Sequence, residues 1–434
     1  MNGKILMRVL SGMAAVLTLG LCGCAVPQEN AVSSTREAVK NEVAADAGKA
    51  DPTESEDRLW NLKDFGAVGD GSTDDSSALK TAIADVLAAG GGTLYIPGGT
   101  YRLTETITLS GDDDTPLTLR ADPTGNVAFV ADADTNGPAL VVERSGVTLF
   151  GLDFQHRTSE EQPVIVVTGS HNVLDSVTAR MTGRNSRPGF LVYGSYNTFK
   201  NCGVGHTGTT QYMMVFSKMP GLESVGNILE DCHFGGQAAK CVLVTSEDEN
   251  GAPEQMTIRR NVFLVVGCDQ VEVRAARDLY ITDNMLDAAG VCVLMDPIAA
   301  GINGVQITDN YCGASTGGDR TGGLRTENNY GGTIENVVIS ANYFWTSNAV
   351  RVIEPIYTGF SLTDNYFVLT GGDAIYMETA VGAFLEGNVV TNVAGGCPLR
   401  IGNVDDVTVI QNNFFGDGVD VPDWQSRFRK QNTM

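Results

Sequence analysis

The sequence predicts an all-β chain wound into a single-stranded parallel β-helix with an N-terminal capping helix, and three observations predict it. Val, Ile, Thr, Tyr and Phe recur in short runs punctuated by Gly, Asn and Asp, with 51 Gly among 434 residues, which is the composition of short strands and turns. Helix-friendly residues are almost confined to positions 74–89. A pattern of apolar-x-apolar-x-x-Asn-x-apolar returns along the chain as TIRRNVF (257–263), YITDNML, QITDNYC, VISANYF, SLTDNYF, FLEGNVV and TVIQNNF.

In chain order, the first 24 residues have the form of a secretory leader. Lys4 and Arg8 precede an apolar run over 9–21 that is too short to span a membrane. Its end, Leu21-Cys22-Gly23-Cys24, resembles the lipobox of bacterial lipoproteins. That resemblance implies acylation of Cys24 and attachment to the bacterial cell envelope, at the outer membrane or cell surface. Residues 25–59 are rich in Ala, Glu and Ser with no core period and predict a disordered tether. Residues 60–434 predict the β-helix domain, with a cap in 60–101 and a C-terminal tail in 416–434.

The net charge is −23, and removal of Lys4 and Arg8 with the leader makes it more negative still. Binding a phosphate backbone needs a basic surface, so nucleic acid is excluded as a partner. The acidity suits solubility. The cysteines past the leader, at 202, 232, 241, 268, 292, 312 and 397, are odd in number and fit no metal or disulfide spacing. They predict buried thiols stacked between coils, with Cys202 and Cys232 in equivalent places in FKNCGVG and LEDCHFG.

The repeated Asn falls at 261, 284, 310, 342, 365, 388 and 412, and weaker copies run back through Asp231, Asn201 and Ser176 to Leu152. Successive differences are 24, 25, 30, 30, 23, 26, 32, 23, 23 and 24. A period near 24 with insertions is what a coil of three short strands and their turns requires. Asn is expected at a sharp turn because it tolerates the left-handed conformation, and an Asn in every coil can hydrogen-bond its neighbours above and below. The pattern resembles the right-handed β-helices of pectate-lyase-like proteins, in which an Asn ladder marks the turn between the second and third strands. Residues 61–101, NLKDFGAVGDGSTDDSSALKTAIADVLAAGGGTLYIPGGTY, resemble the opening segment of the same superfamily, which includes polygalacturonases, other glycanases and phage tailspikes. Within it Asp74 or Asp75 suits the N-cap of a helix running to about Ala89, whose Leu79, Ile83, Val86 and Leu87 form one apolar face. Such a helix hides the open end of the core and its unpaired strand edge.

The resemblance implies that the opening strand of each coil floors a glycan groove. Those strands read PVIVVTG, PGFLVYG, YMMVFSK, CVLVTSE, QVEVRAA, VCVLMDP, GLRTENN, AVRVIEP, IYMETAV and PLRIGNV. Side chains alternate across a strand. The early outward positions are therefore expected at Val166, Thr168, Tyr193, Met214 and Phe216, and the later ones at Glu272, Arg274, Asp296, Arg325, Glu327, Arg351, Glu354, Tyr376, Glu378 and Arg400. Glycoside hydrolysis needs two carboxylates about 5 Å apart for retention or about 6.5–9.5 Å apart for inversion. Stacked coils supply about 4.8 Å or twice that, so Asp296, Glu327, Glu354 and Glu378 are the candidate acid and base. Glu272, Arg274, Arg325, Arg351, Tyr376 and Arg400 are candidate substrate-binding residues, Arg suiting uronate or sulfate.

The polygalacturonase signatures and the Tyr-Asp-Pro-His-Asp motif of mannuronan epimerases do not occur in their places. LRTENN (324–329) resembles the catalytic strand of iota-carrageenases, but the rest of the chain does not follow that family. His156, His171, His206 and His233 fall at strand ends and are expected in turns or on the surface. The first reading is a glycoside hydrolase on an acidic polysaccharide, needing no cofactor. The second is a polysaccharide lyase or C5-epimerase on a uronate glycan, in which Arg or Lys removes the proton, Ca2+ or Arg neutralises the carboxylate and Tyr376 protonates the leaving oxygen. The third is a non-catalytic glycan-binding surface protein.

Overall fold

The computed structural model describes residues 58–414, less 112, 133–134, 158–161, 182–186, 207–211, 238–239, 267–268, 289, 315–320, 354–357, 370, 392–395, 406–407 and 411. The leader, Cys24, almost all of the 25–59 segment and the 416–434 tail lie outside the described residues. The chain is a right-handed parallel β-helix of about eleven turns, and its strands pair in parallel throughout the described residues. Each coil contributes a strand to three faces in turn. The first face is a twelve-stranded sheet from Ile107–Leu109 to Leu399–Asp405. The second is a fifteen-stranded sheet that opens with Leu59–Asn61, and the third is a six-stranded sheet followed by an eight-stranded one. All ten opening strands expected from the sequence lie on the first face.

Strands of two to seven residues suffice because those inside each sheet pair with the coil above and the coil below. Their inward residues form one continuous core of Val, Ile, Leu and Phe. Like residues stack coil on coil, as in Phe129 on Phe154 (5.1 Å between ring centroids), Phe234 on Phe263 (5.0 Å) and Phe344 on Phe367 (4.9 Å). The helix Ser76–Ala88 covers the N-terminal end, with Leu79, Ile83 and Val86 buried. The N-cap position falls on one of the two Asp residues that the sequence offers. Asp75 is the N-cap residue but turns its carboxylate back to Val68 N (2.6 Å) and Gly69 N (3.0 Å), while Asp74 Oδ1 holds Ser76 N at 3.0 Å. The two carboxylates tie the preceding loop to the helix start.

The Asn ladder stands between the second and third faces and is buried. From Asn284 to Asn412 the Asn Oδ1 accepts the backbone N and the Nδ2 of the Asn in the preceding coil. For Asn310 these are Asn284 N (2.9 Å) and Asn284 Nδ2 (3.0 Å), and its own Nδ2 donates to Ile281 O (2.9 Å) and Asn342 Oδ1 (3.0 Å). The left-handed residue is the one before it: Arg260, Asp283, Asp309, Ala341, Asp364 and Gly387 have φ of 54°, 56°, 57°, 56°, 56° and 68°. The Asn is therefore kept for its amide and not for its tolerance of positive φ.

The early coils also stand one residue out from the sequence expectation. Cys232 N donates to Asn261 Oδ1 (2.9 Å) and Cys202 N to Cys232 Sγ (3.2 Å), so Cys202 and Cys232 continue the ladder. Asp231, Asn201 and Ser176 occupy the left-handed column instead. Six cysteines are free among the described residues, five of them buried. A second, shorter ladder of Asn172, Asn197 and Asn227 lines the turn between the first and second faces, with Asn172 N donating to Asn197 Oδ1 and Asn197 N to Asn227 Oδ1, both at 3.0 Å.

Candidate functional site

Two outward columns run along the first face. The first passes through Val166, Leu191, Val215, Leu243, Glu272, Leu294, Arg325, Arg351, Tyr376 and Arg400. Met214 and Phe216, expected outward, are fully buried in the core, and Val215 takes the outward place. The strand Tyr212–Lys218 is longer than the preceding strand Phe190–Val192, and the alternation counted from its start is one residue out of phase. The early stretch is apolar, with Val215 and Leu243 packed on Tyr212 and Leu191 outside the main core. The second column holds Tyr193, Ser217, Thr245, Arg274, Asp296 and Glu327, each the residue after the paired inward position. In the next coil its place is held by Ile353, whose backbone N donates to Thr326 Oγ1 (3.0 Å). Glu354, one residue further, lies outside the described residues.

Three clusters stand on these columns. In the first, Glu272 is buried between Lys240 and Arg274, with Arg274 Nε 2.6 Å from Glu272 Oε1 and Arg274 Nη2 3.0 Å from the Tyr212 hydroxyl. Lys240 also reaches Asp269 (3.5 Å). Burial opposes the charge on Arg274, but Glu272 outweighs it and holds the guanidinium above its ordinary pKa. Burial and the Glu272 charge push the Tyr212 hydroxyl up to about 12. Both shifts hold Arg274 charged and Tyr212 protonated near neutrality. Glu272 and Arg274 thus meet as the sequence suggests, but as partners of each other. Lys240 and Tyr212 were missed because two successive residues are buried after each, Cys241 with Val242 and Met213 with Met214, a break in the alternation that the sequence pattern does not report.

In the second cluster, Asp296 and Glu327 are neighbours in one column. Asn329 N donates to Asp296 Oδ1 (2.8 Å), and its Nδ2 donates to both Asp296 Oδ2 and Glu327 Oε2, at 2.9 Å each. Arg325 Nε pairs with Glu327 Oε1 at 2.8 Å. In the third, Arg400 Nε pairs with Asp373 (3.0 Å), and Glu378 is exposed. The Arg351 guanidinium lies 5.1 Å from the Tyr376 ring centroid; its Nε is buried without a hydrogen-bond partner, and it makes no ion pair among the described residues.

No histidine side chain is placed on this floor among the described residues. His156 is buried against Gly137 O (2.8 Å) on the third face, His171 stacks on Tyr196 in a turn (4.9 Å), and His206 and His233 belong to third-face strands. The described residues contain no group of three or more His, Cys, Asp or Glu that could hold a metal ion. Asp296 and Glu327 are committed to Asn329 and Arg325.

Residues 59–264 match the family model described as rhamnogalacturonase A/epimerase, pectate lyase-like. A stretch of 51 residues, 12% of this chain, is 53% identical to mannuronan C5-epimerase AlgE1 of Azotobacter vinelandii and spans 4% of that relative's length. Among solved structures, the PL6 family alginate lyase AlyGC superposes with a TM-score of 0.56 at 15% identity, over 79% of this chain and 51% of that one. A mannuronic acid specific polysaccharide family 6 lyase from human gut microbiota gives 0.54 at 14% identity, over 86% and 93%. These two likenesses show the shared fold. Over residues 59–264, a little under half of its length, the chain is thus similar to the pectate-lyase-like family.

Proposed function

We propose that the chain is a lyase or C5-epimerase acting on a uronate polysaccharide, with its site on the first face around Arg351 and Tyr376. One observation carries the reading. Arg325, Arg351, Tyr376 and Arg400 follow one another in a single outward column, and of the three arginines only Arg351 has no anionic partner among the described residues. A part-buried guanidinium without a counter-ion suits a carboxylate that the ligand brings, which it can hold bidentately. In a uronate that carboxylate is bonded to C5. Neutralising its charge stabilises the electron pair left when the C5 proton departs.

Elimination then breaks the C5–H bond, forms the C4–C5 double bond and breaks the C4–O4 bond, and O4 takes up a proton. Tyr376, against Arg351, is placed to give that proton. Glu378, exposed two residues along the strand, is the group proposed to accept the one from C5. Epimerisation uses the same first step, but C5 recovers a proton on its other face and the C4–O4 bond survives. The epimerase match and the fold shared with alginate lyases support this class of reaction. Export and attachment to the cell envelope through Cys24 belong to the same proposal and would bring the enzyme to an extracellular polymer.

A hydrolase built on Asp296 and Glu327 has less support. Both oxygens of Asp296 are taken up by Asn329, and Glu327 is paired with Arg325. The test is incubation of purified protein with polymannuronate, polyguluronate, polygalacturonate and neutral glucans. Ultraviolet-absorbing unsaturated ends, or inverted C5 configuration, are expected on at least one acidic polymer. New reducing ends without either would restore the hydrolase, and binding without turnover would restore the non-catalytic protein.

A further inference from the structure

The loop that follows the strand Gly322–Thr326 does not turn directly onto the second face. It leans back over two earlier coils. Besides the three hydrogen bonds from Asn329, Gly332 N donates to Pro297 O (3.1 Å), and the Arg274 coil is joined below through Ile298 N to Arg274 O (2.9 Å). A Cβ on Gly332 would stand 2.0 Å from Ile298 O, so only glycine permits this seat, and Gly331 beside it has φ of 77°. The result is to hold Tyr330 with its ring centroid 4.8 Å from the Arg274 guanidinium while half its surface stays open to solvent.

We propose that residues 327–332 are the wall of a glycan subsite, with Tyr330 the platform on which a sugar ring stacks and Asp296 a positioning residue that acts through Asn329. Asp296 therefore has its role in substrate binding and not in proton transfer. The stacking platform, the Tyr330 ring over Arg274, lies three strand steps from Arg351, Val273 to Met295 to Thr326 to Val352, or about 14 Å along the helix axis. It engages a sugar several units away from the one that reacts, so it governs the binding of long chains and not the chemical step. The inference rests on the first face being the glycan floor of the proposed uronate enzyme.

Tyr330→Ala and Asp296→Ala are each expected to raise KM for polymannuronate about 3- to 10-fold, the range of one aromatic contact, while turnover at saturation stays within about twofold of wild type. Tyr330→Phe should restore the wild-type KM, and the double variant should be no worse than either single one, because both remove the same contact. On an oligosaccharide too short to span the two positions the effect should vanish. Asn329→Ala, at an exposed residue, should reproduce Asp296→Ala, and both should speed amide hydrogen exchange in 327–332 of the free protein. If Asp296→Ala instead slowed turnover at saturation by about a hundredfold or more with KM unchanged, Asp296 would be an acid or base and the proposal would be overturned. So would unchanged exchange, or an unchanged KM in Tyr330→Ala. If the wild type ignores uronates, affinity electrophoresis through neutral glycans replaces KM. Loss of retardation in Tyr330→Ala would then keep the subsite while the uronate reading fails, and equal retardation of wild type and variant would overturn the subsite.

Discussion

Arg351→Ala is expected to reduce turnover of the uronate polymer by about 10²–10³, the loss typical of removing one group aimed at charge that develops in the transition state. Stability should hardly change. Arg351 makes no ion pair among the described residues, and its guanidinium rests against the Tyr376 ring. Such a contact is worth about 0.5–1 kcal/mol where exposed. Arg351→Lys should recover only part of the rate, because an ammonium cannot hold a carboxylate through two parallel N–H bonds. Steady-state kinetics beside thermal melting separate the outcomes. Full turnover in Arg351→Ala would remove the residue that anchors the proposed mechanism.

The second large effect concerns stability. Asn310→Ala should cost on the order of 3–6 kcal/mol, since Asn284 N and Asn284 Nδ2 lose their acceptor and Ile281 O loses a donor, each buried group left unmade costing about 1–3 kcal/mol. Asp309→Ala, in the adjacent left-handed column, should cost no more than about 1–2 kcal/mol, because Ala341 already occupies that conformation one coil on. Urea unfolding midpoints of the two variants measure the contrast. Equal losses would mean that the amide ladder contributes no more than the turn it lines.

The ladder shows why some of the fold is legible in the sequence and some is not. A buried amide that must match the coil above and the coil below leaves the same letter at the same interval, so Asn261 to Asn412 align without a structure. The left-handed position leaves no such mark. Its geometry is imposed by the stack, and Arg260, Asp283, Ala341 and Gly387 all accept it. The early coils read one residue out because Cys232 and Cys202 stand where later coils carry Asn, and Asn201 happens to precede Cys202. The ladder at Asn172, Asn197 and Asn227 has only three rungs, too few to stand out against other Asn residues.

The candidate site divides in the same way. Strand alternation places Glu272, Arg325, Arg351, Tyr376 and Arg400 in one column, and the register agrees. Tyr330 and Asn329 arrive from a loop that folds back over two coils, and no periodicity reports a loop's return. Which charges are satisfied is also beyond the sequence. Glu272, Arg274 and Asp296 have the same chemical credentials as Arg351 in the one-dimensional pattern, and only their partners distinguish them.

An enzyme that works through Arg351 must remove the proton on C5 of a uronate. Proton nuclear magnetic resonance of polymannuronate, followed in deuterated water with catalytic wild-type protein, tests this most directly. The C5 proton signal is expected to decay, either with a vinyl signal from C4 growing in step or with deuterium entering an inverted C5. Chain cleavage that releases reducing ends while every C5 proton stays in place would contradict it.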